Sequence, residues 1–110
     1  EVGVTLDKII ITGGGSNSDL FMQIFADVFN LPAVRNVVNG AAGLGSAICA
    51  AVATGVYGSF EEAVEGMVKI QDTFVPNPEN VELYQKMISI YKDITVHTDE
   101  VLKKTYELFE

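Results

Sequence analysis

The sequence predicts an α/β fold, and three observations carry that expectation. A β-branched run, Ile9-Ile10-Ile11, leads into Gly13-Gly14-Gly15, as a buried strand ending in a tight turn does. A capped helical pattern follows, and after it a second apolar run from Ala33 to Val38, which is the alternation of an α/β unit. With 110 residues, 48% hydrophobic and 20% charged, the chain has the length of one domain and the apolar material for a core, which excludes intrinsic disorder.

The first strand is placed at about 7 to 12. Ser16 and Ser18 are candidate N-caps for the helix that follows, and Leu20, Phe21, Ile24, Phe25, Val28 and Phe29 recur on one helical face, with Asp19, Gln23 and Asp27 opposite. Pro32 disfavours helical dihedrals at Leu31, so the helix stops near Asn30 and a second strand runs from 33 to 38. A helix from about Gly43 to Thr54, rich in alanine at 47, 50, 51 and 53 and stopped by Gly55, is expected to be the most buried. Ser59 and Glu62 have capping-box spacing and start a helix from Phe60 to about Val68. Thr73-Phe74-Val75 reads as extended. Asn77-Pro78 then opens a long helix whose stripe is Val81, Tyr84, Ile88 and Tyr91. Thr95-Val96-His97-Thr98 weakens that pattern, and a separate helix capped by Thr98 is expected to carry Val101, Leu102, Thr105, Leu108 and Phe109. There is no internal repeat, low-complexity tract or linker.

Seven Lys and Arg against 15 Asp and Glu give a net charge of −8, which repels phosphate backbones and anionic lipid and argues against nucleic-acid and membrane partners. The stretch from Asn36 to Phe60 carries no charge. Its five glycines and many alanines, where a span would be Leu-rich, fit a turn and a helix better than a membrane crossing. Cys49 is the single cysteine; a thiol in an Ala-rich apolar stretch behaves as a small hydrophobe and fits a reducing, cytoplasmic setting. The first residue is Glu1, and no signal-peptide pattern opens the chain. The expectation is a piece of a longer protein.

The chemistry-bearing feature is the run of glycines between strand and helix. Amide groups at a helix start, beside a surface without side chains, suit the approach of a nucleotide, and an ordinary βα turn accounts for the same residues. A Rossmann loop fits poorly, since G-x-G-x-x-G spacing is absent, and no Gly-Lys-Ser or Gly-Lys-Thr is present for a Walker A loop. His97 lacks a second His or Cys partner for a metal and reads as solvent-facing or capping. Glu61-Glu62 and Asp99-Glu100 read as acidic residues near helix starts, Ser46 as a small packing residue, and Tyr84, Tyr91 and Tyr106 as helix packing.

Ile11-Thr12-Gly13-Gly14-Gly15-Ser16-Asn17-Ser18-Asp19-Leu20-Phe21-Met22-Gln23-Ile24, continuing through Ala26-Asp27-Val28 to Leu31-Pro32, resembles the adenosine-binding segment of the FGGY carbohydrate kinases. The likeness extends to Gly43-Leu44-Gly45-Ser46-Ala47, Gly55-Val56-Tyr57, Phe60-Glu61-Glu62-Ala63 and Phe74-Val75-Pro76-Asn77-Pro78, so nearly the whole chain is covered. Asn17 departs from the family's usual Lys or Arg, and Phe21 from its usual Trp.

This resemblance implies part of an actin-like, ribonuclease-H-type ATPase domain, with residues 1–110 as the C-terminal segment of the second domain and the adenosine motif at 11–18. It implies ATP and Mg2+ as cofactors and phosphoryl transfer to a sugar or polyol hydroxyl in the intact parent. Gly13, Gly14, Gly15, Ser16 and Ser18 become the candidate adenosine-binding residues, with positive φ expected at Gly14 or Gly15. The phosphate loops, the catalytic base and the magnesium site are expected outside this chain, so no catalytic or metal-binding residue is assigned within it. The rival is a non-catalytic α/β interaction or assembly module. Two strands with free edges and uncovered apolar helices lead us to expect the isolated chain as a homodimer.

Overall fold

A computed structural model of the chain describes Gly3 and residues 5–109. Three strands, β1 (Ile9–Ile11), β2 (Ala33–Asn36) and β3 (Ile70–Phe74), form one sheet in the order β1-β2-β3. The helices are α1 (Asp19–Phe29), α2 (Ala41–Ala53), α3 (Phe60–Met67) and α4 (Pro78–Tyr106), with a 3-10 turn at Gly14–Asn17. β1 and β2 run parallel, as strands joined through a helix do, and β3 adds to β2 antiparallel.

The register sets Ile9, Ala33 and Phe74 in one row and Ile11, Arg35 and Asp72 in another, two residues further along. Side chains alternate between the faces of a sheet, so the two rows share a face. α1 lies on it: Met22 and Ala26 are fully buried together with Ala33, and Ile9, Ile11 and Phe74 pack around them. That face is therefore apolar at one end and ionic at the other.

Local rules set most element ends. Ser18 accepts a hydrogen bond from the Phe21 N–H at 3.3 Å, and Asn30 closes α1 in the left-handed conformation. Ser59 accepts from the Glu62 N–H at 3.2 Å, while the Glu62 carboxylate accepts from the Gly58 N–H at 2.9 Å. Asn77 accepts from the Glu79 N–H at 3.0 Å, and Pro78 is the first residue of α4.

The structure corrects several expectations. β1 and β2 are shorter than 7–12 and 33–38, and the β2–β3 ladder shifts register between Arg35 and Asn36, where Asn36 pairs with Ile70. Past that shift the Val37 N–H bonds to the Lys69 carbonyl at 2.8 Å. Residues 70–74 form a full strand. α2 begins at Ala41 and is not the most buried helix: Ile48 is its one buried residue and Cys49 is exposed. Its alanines reach little, and its main neighbour is α3.

α1 is turned over relative to its hydrophobic pattern. Asp27 is 1% exposed, whereas Leu20 is 71% and Phe29 55% exposed. The inward row is Met22, Gln23, Ala26 and Asp27, because the β3–α4 junction meets the helix with hydrogen-bond donors rather than with apolar surface.

α4 is continuous through Thr95–Thr98, with no separate helix capped by Thr98. The Thr95, Thr98 and Thr105 hydroxyls donate back to the carbonyls of Lys92 (2.7 Å), Ile94 (3.0 Å) and Val101 (2.8 Å), so these residues stay inside the helix without partners elsewhere. No described residue of α4 is buried, and Tyr91 and Tyr106 are exposed instead of packed. The radius of gyration is 19.7 Å, against about 13 Å for a compact domain of this length. The accessible surface is 8285 Å², where a compact monomer of this mass has about 6,000 Å².

Candidate functional site

The glycine turn stands at the end of β1. Gly13 has φ 84° and ψ −172°, a region essentially reserved for glycine. Its N–H donates to the Asn39 carbonyl at 2.8 Å, and its own carbonyl accepts from the Ser16 N–H at 3.1 Å and from the Ser16 hydroxyl at 2.7 Å. The positive φ thus falls on Gly13; Gly14 and Gly15, where it was expected, begin the 3-10 turn with ordinary dihedrals, since the sharp change of direction is made one residue earlier.

A methyl group on Gly13 or Gly14 would meet nothing within 4 Å, whereas on Gly15 it would fall 2.9 Å from Cε1 of Phe21. The turn is open above and rests on an aromatic ring below. The first amides of a helical turn have no carbonyl within the turn to bond, which leaves the Gly14 and Gly15 N–H groups as donors, with open space over Gly14 and the Phe21 ring against Gly15. Gly13, Gly14, Gly15 and Ser18 are exposed on this one turn, while Ser16 is fully buried with its hydroxyl directed at Gly13. Asn17 accepts from Asn39 Nδ2 at 2.7 Å, so the β2–α2 connection flanks the turn.

Beneath the turn lies Arg35, which composition and motif had not singled out. It is 8% exposed. Nε donates to Asp72 Oδ1 at 2.9 Å and Nη2 to Asp72 Oδ2, a bidentate pair across the β2–β3 ladder. Nη1 donates to the Ser16 carbonyl at 2.8 Å, Nη2 also reaches Asp19 Oδ1 at 2.9 Å, and Cζ stands 5.3 Å from the Phe74 ring centroid. The Asp72 hydrogen bonds above all, with Asp19 behind them and burial opposing, push the guanidinium further toward its charged form. No buried side-chain nitrogen or oxygen among the described residues lacks a partner.

Asp27 is a second hub. Burial alone would raise its pKa, but hydrogen bonds from the Asn77 N–H (2.7 Å), Asn80 Nδ2 (2.8 Å) and Gln23 Nε2 (2.8 Å) outweigh it and hold the carboxyl below the ordinary 3.8. Gln23 Nε2 also donates to the Val75 carbonyl at 2.9 Å. The far end of α1 is thereby pinned to the start of α4.

The other candidates stay apart from the turn. His97 is exposed on α4 with Nδ1 2.7 Å from the Asp93 carbonyl. Asp99 and Glu100 lie inside α4 and not at a helix start. Glu61 is at the start of α3, where its backbone amide foremost, and the Ser59 hydroxyl, hold its carboxyl below the usual range. A surface depression of about 440 Å³ is lined by Tyr84, Met87, Ile88, Ile90, Tyr91 and Ile94. All six sit on α4, so it is an open apolar flank without a charge to orient a ligand. Among the described residues, no three His, Cys, Asp or Glu side chains gather as a metal site, and no helix is long and apolar enough to cross a membrane.

A strand, an open glycine turn and a capped helix laid back on the sheet define the class: this is an α/β portion of an actin-like ATPase domain. The chain belongs to the FGGY family of carbohydrate kinases, whose C-terminal domain model matches residues 1–54. It is 58% identical over 101 residues to an uncharacterized sugar kinase, YgcE, of Escherichia coli K12, covering 91% of this chain and 20% of that protein. It is 39% identical to the autoinducer-2 kinase of Klebsiella pneumoniae, over 90% of this chain and 18% of that protein. Among solved structures it matches the ligand-bound xylulose kinase of Lactobacillus acidophilus with a TM-score of 0.77 and 27% identity, over 84% of this chain and 19% of that one. The gluconate kinase of the same organism matches with a TM-score of 0.75 and 27% identity, over 84% of this chain and 18% of that one. The chain spans about a fifth of the length of the relatives it matches.

Proposed function

We propose that residues 1–110 are the C-terminal segment of the second domain of an ATP-dependent kinase, which transfers the γ-phosphoryl group to a sugar or polyol hydroxyl in the cytoplasm. Within it the turn at 11–18 receives the adenosine of ATP, with Gly13, Gly14, Gly15, Ser16 and Ser18 as its residues. The observation that carries this is the open surface over Gly13 and Gly14, held at the strand end in a chain of a carbohydrate kinase family. A purine and ribose can lie against backbone there, with amide donors in reach. Ser18 presents a hydroxyl from the exposed side of the turn, and Ser16 contributes by shaping it from within.

Phosphoryl transfer needs positioning and charge stabilisation more than covalent chemistry from the protein, and this chain's part is to fix the nucleoside end. The described residues offer no cluster suited to Mg2+. Magnesium, the phosphate loops and the base that takes the sugar proton are assigned to the rest of the parent, which is also the expected cover for the apolar flank of α4.

The test uses the full-length protein that carries this chain, assayed for sugar-dependent ADP release. Gly14→Val is expected to raise the KM for ATP at least tenfold, about 1.4 kcal/mol, with the KM for sugar within twofold and cooperative melting retained. A nucleotide affinity changed by less than about twofold, roughly 0.4 kcal/mol, would place the site elsewhere.

A further inference from the structure

We propose that Arg35 is the positioning residue of the nucleotide turn, fixing through its bond to the Ser16 carbonyl the shape of Gly13–Asn17 that admits ATP. This rests on the adenosine reading of the turn and deepens it, because Arg35 lies below the turn and is too buried to touch the nucleotide itself.

Arg35 is the chain's single arginine, and it is anchored on three elements at once. It stands on β2, directly opposite Asp72 of β3, and reaches Asp19 in the first turn of α1. Because the Nε–Nη2 edge is held by both oxygens of Asp72, the plane of the guanidinium is fixed and Nη1 has one direction left to point, at the Ser16 carbonyl 2.8 Å away. The turn's other bonds join neutral groups: the Gly13 N–H to the Asn39 carbonyl, the Ser16 N–H and hydroxyl to the Gly13 carbonyl, the Ser18 N–H to the Gly15 carbonyl, and the Asn17–Asn39 side-chain pair. Arg35 also balances two carboxylates, Asp72 and the largely exposed Asp19, close to a turn receiving an anion. A lysine ammonium is one point charge, which can pair with a carboxylate but cannot reproduce the planar fork and the third, divergent donor together. Arg35→Lys therefore separates charge from geometry.

The experiment compares the full-length protein with its Arg35→Lys variant, measuring ATP affinity, the KM values for ATP and sugar, melting, and amide hydrogen exchange at residues 14–18. The expected result is ATP binding weakened roughly tenfold, the size of one charge-assisted hydrogen bond, with sugar KM within twofold and faster exchange confined to the turn. ATP affinity within twofold in a variant that melts cooperatively, or equal losses for ATP and sugar, would overturn the proposal. Should Arg35→Lys fail to fold, Asp72→Asn is read in the same way. It keeps Arg35 but loosens the fork that aims it, and a two- to fivefold loss of ATP affinity is expected, with no loss refuting the idea. If Gly14→Val also leaves ATP binding intact, the adenosine reading itself fails and the inference with it. If Gly14→Val weakens ATP while neither Arg35→Lys nor Asp72→Asn does, the positioning role alone fails.

Discussion

Around Arg35 and Asp27 the molecule buries charge and leaves no buried side-chain donor or acceptor among the described residues unpaired; along the distal half of α4 it does the opposite, exposing Tyr91, Ile94, Val101 and Leu102. Both regions are helical or strand-like by local rule, and the difference is in what meets them. The Arg35 and Asp27 side chains are met by partners from β3, α1 and the start of α4, so their desolvation is offset by charge-assisted hydrogen bonds. The apolar residues of the distal half of α4, from Tyr91 onward, all stay exposed. Burial in this chain follows available partners rather than side-chain type, and the candidate site is built in the region where the partners are supplied.

The largest effect on stability should come from Asp27. In Asp27→Ala the Asn77 N–H and the Asn80 amide lose their acceptor and the Gln23 amide keeps only the Val75 carbonyl, and a loss of about 2–3 kcal/mol is expected. Asp27→Asn keeps one acceptor and sets an NH2 group against a donor, for about 1–2 kcal/mol. The pH dependence has a fixed sign. The folded pKa lies below the ordinary 3.8, so the contribution is full above the unfolded value and is lost as pH falls through the folded one. Melting curves from pH 7 down to about pH 3 should therefore show the gap between parent and Asp27→Asn constant at first and closing from about pH 5 downward. A gap that widens with acid would contradict the hydrogen-bonded carboxylate.

Gly13 gives the next largest effect. At φ 84° and ψ −172°, Gly13→Ala is expected to cost about 1–3 kcal/mol through backbone strain alone, since its methyl would meet nothing. Gly14→Ala, in open space with ordinary dihedrals, should leave stability within about 0.5 kcal/mol. Chemical denaturation of the two variants side by side checks this. Equal losses would mean that the turn is built differently.

Much of the fold was legible because the rules involved are local. Ser18, Ser59 with Glu62, and Asn77-Pro78 each cap a helix within a few residues of themselves. The glycine turn was legible for the same reason, although its strained residue is Gly13. Arg35 and Asp27 were not, because their partners lie far away in sequence: Asp72 is 37 residues from Arg35, and Asn77 is 50 from Asp27. The one near partner, Gln23 four residues before Asp27, makes only an ordinary i,i+4 pair, which does not mark a hub. The buried face of α1 was misread for that reason as well. A pattern of Leu20, Phe25 and Phe29 against Gln23 and Asp27 shows two faces, and only the tertiary partners decide which turns inward. In α4 the weakened stretch at Thr95–Thr98 suggested a break, but the threonine hydroxyls satisfy themselves on their own helix.

The smallest expected effect is in the distal half of α4, and it bears directly on the contrast between the two regions. Ile94 is exposed and lines the apolar flank, so Ile94→Ser in the isolated 110-residue chain should change the stability of the monomer by less than about 0.5 kcal/mol. Its consequence should appear in association instead. An apolar stripe running from Tyr84 through Ile94 to Val101 and Leu102, on a chain presenting 8285 Å² of surface where about 6,000 Å² is usual for its mass, is a surface that lowers its free energy by being covered. The expectation is a homodimer of the isolated chain, seen by light scattering as a mass near twice 11.9 kDa that dissociates on dilution. Placing a charge there, as in Ile94→Glu, should return the mass to that of one chain, since an unpaired carboxylate resists burial in an apolar contact. A mass of one chain at every concentration, with cooperative melting, would show that the chain closes its own core and that the exposed flank of α4 drives no association.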